Sequence, residues 1–133
     1  MPIPLQAAVP YQSGPSWTKS ERKNARKGFD QALLNELQEI MDKTKELANG
    51  IQQPFELWDL EAYLTERRKE IDRKYDFRES MRSLACGRLL YEGRLTEEQL
   101  QGLGDHLREI QGFADFLRRQ VLSSAERSFE DSE

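Results

Sequence analysis

The sequence predicts an all-α protein of four helices, assembled as an elongated dimer whose long first helix packs against the second. Three observations carry this expectation. Apolar residues recur at spacings of three and four through most of the chain, and no alternating apolar and polar run is long enough to suggest a strand. Charged residues make up 33% against 37% hydrophobic, a balance that suits helices with wide solvated faces and leaves little core for one compact monomer. The first amphipathic stripe is also too long for the remainder of a 133-residue chain to cover, which calls for a second subunit.

Pro2, Pro4, Pro10 and Pro15 remove amide donors and restrict their neighbours, so residues 1–15 read as a disordered Pro-rich lead. Thr18 stands three residues before Glu21, the spacing of a reciprocal capping box, and starts the first helix. Phe29, Leu33, Leu37, Ile40, Met41, Ala48 and Ile51 mark its apolar stripe, and Asn49-Gly50 can stop it after about 30 residues, or about 45 Å. Pro54 suits the first turn of a second helix, which carries Phe55, Leu57, Trp58, Leu60, Tyr63, Leu64 and Ile71 to about Tyr75. Asp76 and Glu79 repeat the capping spacing ahead of a shorter third helix, with Met81, Leu84, Ala85, Leu89 and Leu90, ending near Gly93. Thr96 with Gln99 caps a fourth, whose stripe runs from Leu100 through Leu103, Leu107, Ile110, Phe113, Ala114 and Leu117 to Val121. Gly102, Gly104 and Gly112 each weaken it by about 1 kcal/mol, so this helix leans on packing. Residues 16–122 thus form one helical domain, and 123–133 a polar acidic tail expected to fray.

The composition is as informative for what it excludes. One cysteine, Cys86, rules out an intrachain disulfide and fits a reducing compartment. Cys86 and the single histidine, His106, lie on different helices, and His106 reads as a surface or helix-packing residue. No Cys, His or carboxylate cluster has metal-ligand spacing, and no Gly-rich phosphate loop is present, so neither cofactor nor metal is expected and an enzyme is the least supported class. There is no signal-peptide pattern and no apolar run of about 20 residues, so a soluble cytoplasmic protein without a membrane segment is expected.

Two basic clusters, Lys19, Arg22, Lys23, Arg26, Lys27 and Arg67, Arg68, Lys69, Arg73, Lys74, read as solvated faces. Arg68 with Asp72 and Glu70 with Lys74 sit at i,i+4. The net charge of −4 argues against nucleic acid, whose binding draws on cationic contacts to phosphate. Trp58 is different. With Arg68 ten residues on, within about a quarter turn of the same face, it combines the residue types enriched in interface hot spots, although a tryptophan there could equally fill the core or a dimer seam.

The run Leu57-Trp58, Leu60, Leu64, Arg67-Arg68, Glu70-Ile71-Asp72, Lys74-Tyr75-Asp76, Arg78 and Ser80 resembles the fluorescence recovery protein family of cyanobacteria. The likeness extends back through Leu37, Glu36, Ala32, Phe29, Ala25, Glu21 and Trp17, and forward through Leu89-Leu90 and Glu92-Gly93, covering about Trp17 to Ile110 with one deletion near Gly104. The resemblance implies a helical homodimer that acts without chemistry on the orange carotenoid protein, the photoactive quencher of the phycobilisome antenna. Such a regulator binds the light-activated form through its C-terminal domain, speeds its return to the resting form and helps it leave the antenna, so its place is the cytoplasm beside thylakoid-attached phycobilisomes. By the same resemblance, Trp58 and Arg68 match the family's functional tryptophan and arginine. Glu61 and Ala62 stand where the family has histidine and aspartate, Leu84 where it can present an aromatic, and Glu109 where it has a lysine. The expected partner-binding residues are therefore Trp58, Glu61, Arg68, Leu84 and Glu109. The alternative is a homologous dimeric adaptor with another partner.

Overall fold

The computed structural model describes the backbone of residues 16–131 and the side chains of residues 16–125; the lead and the tail's last two residues lie outside the described residues. Four α-helices follow one another: α1 (Lys19–Asn49), α2 (Leu57–Lys74), α3 (Arg82–Tyr91) and α4 (Asp105–Asp131), with short 3-10 turns at Pro54–Glu56 and Glu98–Leu100 and no strand among the described residues. The all-α, four-helix expectation therefore holds.

The caps explain most boundaries. Glu21 N–H donates to Thr18 Oγ1 at 3.1 Å while Thr18 N–H donates to Glu21 Oε1 at 2.7 Å, the reciprocal box that opens α1. Gly50 caps its end. Pro54 occupies the first position of the 3-10 turn leading into α2, and Gln53 N–H donates to the Glu56 carboxylate at 3.0 Å. At the end of α3, Gly93 takes φ 78°, and the amides of Gly93 and Arg94 donate back to Leu90 and Leu89 at 3.1 and 2.8 Å, a Schellman closure.

Three boundaries depart from expectation. The Asp76–Glu79 spacing does not cap α3: Met81 is the N-cap, with no side-chain bond. Asp76 instead accepts from the amide and guanidinium of Arg78, and Glu79 accepts from Ser16 Oγ at 2.7 Å. Thr96 and Gln99 do form their reciprocal pair, but it leads only into the 3-10 turn, whose own N-cap, Glu97, makes no side-chain bond. Gly102 at φ 88° and Gly104 at φ 57° then turn the backbone through the left-handed region, so α4 begins afresh at Asp105. Finally, α4 stays helical through Asp131 where the polar composition suggested fraying from residue 123.

The core is not spread along α1. It gathers Trp17, Ala25, Phe29 and Ala32 from the start of the chain, Ala85, Cys86 and Leu89 from α3, Leu95 and Leu100 from the link, and Leu103, Ile110 and Ala114 from the last segment. Burying a side chain the size of Phe29 contributes about 1.5–3 kcal/mol. α3 and α4 pack tightest against each other, because Gly87 leaves room that a side chain would fill: a Cβ there would lie 2.6 Å from Phe113 Cβ. We call this end the head. The rest of α1 and nearly all of α2 form an arm whose apolar stripe, Leu37, Met41, Phe55, Leu57, Trp58 and Leu64 among it, faces solvent in the single chain.

Candidate partner-binding surface

α2 presents the candidate surface. Trp58 lies one position into the helix and is 66% exposed, flanked by exposed Phe55 and Leu57. Glu61 and Ala62 are exposed on the next turn. Arg68 stands about 15 Å further along the axis. Its side chain is 86% exposed, and its charge contact is Asp72 at 4.0 Å, not Glu61. The expected Arg68–Asp72 pair is thus present at the limit of ion-pair distance, where screening leaves it little strength. Leu84 and Glu109 are elsewhere. Leu84 is exposed on α3 and Glu109 half-buried on α4, so the structure groups Trp58, Glu61 and Arg68 on the arm and leaves the other two on the head.

What aims α2 is a buried ionic joint that the spacing in the sequence did not reveal. Lys74, 4% exposed, is the one buried residue of α2. Its Nζ donates to Glu36 Oε2 on α1 at 2.7 Å and to Glu92 Oε1 beyond α3 at 2.8 Å. The expected Glu70–Lys74 pair does not form; Glu70 instead meets Arg67 at 3.0 Å. The Tyr75 hydroxyl donates to Glu36 Oε1 at 2.7 Å, with the Ala32 carbonyl at 3.2 Å. Arg94 spans Glu39, Glu36 and Glu92, and Arg88 closes the other side of Glu92 at 3.0 Å. Three cations balance three carboxylates, the condition for burying such a group. Burial pushes the Glu92 carboxyl up, but its bonds from Lys74 and Arg88 outweigh that and hold it below its ordinary value. The Arg94 bond lowers Glu39 in the same sense.

The remaining candidates resolve into packing. His106 is buried and stacks on Trp17 with ring centroids 5.0 Å apart, its Nε2 3.7 Å from Glu21, which makes it a helix-packing residue. Cys86 is wholly buried, and burial pushes its thiol up to about 12. Among the described residues no group of three or more His, Cys, Asp or Glu side chains is placed to hold a metal ion, and no described helix is long and apolar enough to cross a membrane.

The model of the photoprotection regulator fluorescence recovery protein matches residues 17–114, most of the chain and all of the head–arm junction. The chain belongs to the fluorescence recovery protein family. The fluorescence recovery protein of Synechocystis sp. PCC 6803 is 34% identical over 84 residues, covering 63% of this chain and 77% of that protein. Its solved structure superposes with a TM-score of 0.69 at 33% identity, over 74% of this chain and 98% of that one. The fluorescence recovery protein of Fremyella diplosiphon superposes equally well, TM-score 0.69, at 29% identity over 75% and 99% of the two chains. A role in photoprotection follows from the family. The joint also gives the family-like string Glu70 to Asp76 a physical meaning, because Lys74 and Tyr75 at its centre lock α2 to α1. Past residue 114 the family match ends, yet α4 continues to Asp131.

Proposed function

We propose that this protein is a non-enzymatic homodimeric regulator that binds the photoactivated orange carotenoid protein, accelerates its return to the resting form and promotes its release from the phycobilisome. It would act in the cytoplasm beside the antenna. The observation that carries this reading is Trp58, two-thirds exposed on a helix whose aim is set by the ionic joint. A large aromatic left in water on the same helix as a largely exposed arginine favours burial against another protein, and tryptophan and arginine are enriched among the residues that carry such contacts. Lowering a conformational barrier needs only tighter binding to the intermediate arrangement of the partner's domains, so no reacting group is required. The exposed stripe along α1 and α2 supports a second copy as its cover.

The test is dark recovery of photoactivated orange carotenoid protein, followed by absorbance with this protein in excess. An accelerated return is expected, with Trp58→Ala and Arg68→Leu each slowing it at least tenfold while helicity is retained. An unchanged return with the wild-type protein would leave the second reading, a dimeric adaptor with another partner. That reading draws on one observation: Glu61 and Ala62, not histidine and aspartate, stand three and four residues after Trp58.

A further inference from the structure

The head carries a second feature, on elements other than those of Trp58. Arg82, at the start of α3, is 8% exposed, and its hydrogen bond among the described residues is from Nε to the Phe77 carbonyl at 3.2 Å. Its guanidinium lies 4.7 Å from the Phe77 ring centroid and 5.4 Å from that of Trp17. Two more arginines reach the same two residues, one at the Trp17 backbone and one over the Phe77 ring. Arg22 Nη1 donates to the Trp17 carbonyl at 2.9 Å, and the Arg26 guanidinium lies 5.0 Å from the Phe77 centroid. Arg22 and Arg26 are four residues apart on α1 and therefore share a face. Two carboxylates lie nearby: Asp30 pairs with Arg26 Nε at 2.9 Å, and Glu79 accepts from Ser16 Oγ, so neither makes an ion pair with Arg82 or Arg22. Arg82 forms no ion pair among the described residues; burial first, then the like charge of Arg22, work against its charged form, and the Glu79 charge only partly offsets them.

We propose that Arg82, Arg22 and Arg26 form an oxyanion site against Trp17 and Phe77, taking one carboxylate or phosphate group. Stacking on rings offsets part of the cost of desolvating a guanidinium but brings no negative charge, and with Asp30 and Glu79 against three arginines the cluster keeps one net positive charge. A guanidinium whose Nε is already occupied retains its terminal amino groups, the planar fork that binds an oxyanion by two parallel bonds. The source is either free phosphate or an acidic side chain of another protein, and both satisfy the same geometry.

Two titrations of the full chain separate these sources, each at constant ionic strength with the arginine Nε–H signals followed by NMR. One uses sodium phosphate, the other an acetylated tetraglutamate peptide. A saturable shift of the Arg82 signal by phosphate assigns the free ion. A saturable shift by the peptide where phosphate gives none assigns a protein carboxylate. In either case Arg22→Gln, which leaves the α3 start intact, should weaken binding at least tenfold, and Arg82→Gln should abolish it. No saturable shift with either probe, or unaltered affinity in Arg22→Gln, would overturn the proposal.

Discussion

Single residues here take their properties from burial more than from type. Cys86 sits beside the Arg82 charge, which favours a thiolate, yet loss of water outweighs it and the thiol is raised to about 12. At pH 8 the thiolate is then a minute fraction, and native protein should fail to react with a disulfide reagent that modifies it fully once unfolded. Lys74 shows the complementary case. As an isolated residue it is an ordinary surface lysine, but among Glu36 and Glu92 it is the centre of the joint. Lys74→Met would take the shortest ionic bond from the buried Glu36 carboxylate, leaving Arg94 and the Tyr75 hydroxyl on it, and should cost about 3 kcal/mol, measured by chemical denaturation. Adding Glu36→Gln should recover part of that loss.

Helices meet where their smallest residues permit. A methyl group at Gly87 would strike Phe113 Cβ and come within 3.0 Å of the Ile110 carbonyl, so α3 and α4 would have to separate. Gly87→Ala should destabilise by about 1–3 kcal/mol in thermal or denaturant unfolding. Gly112, on α4, is the control. A Cβ there meets nothing within 4 Å, and Gly112→Ala should stabilise by about 0.5–1 kcal/mol, because alanine loses less backbone freedom in a helix. Opposite signs at two glycines would separate packing from propensity.

At the scale of the molecule, a head with a closed core carries an arm with an open one. If the proposed homodimer covers that arm, sedimentation should give about twice the 15.6 kDa of one chain, and Trp58→Ala should shift the balance toward monomer if the residue lies in the seam. The joint between head and arm also predicts acid sensitivity. Glu92 and Glu39 have folded values below the ordinary 4.5, so their contribution is complete above that pH and is lost as pH falls through the lower folded values. Unfolding monitored by circular dichroism should therefore show stability falling below about pH 4.5. A flat profile down to pH 3 would contradict the assignment of the joint.

The residues alone determined the helical class, the start and end of α1 and the Pro54 entry to α2, because caps and apolar periods act over three or four neighbours. They also determined the family likeness, through a string whose meaning was not visible in them. Only the tertiary structure decided that Lys74 abandons Glu70 for Glu36 and Glu92, that Arg82 joins Arg22 and Arg26, and that Gly102 and Gly104 break the fourth stripe. The first two depend on which distant groups meet in the fold, and partners 18 or 38 residues apart leave no period in the chain to read; the third depends on the left-handed backbone that the two glycines adopt there.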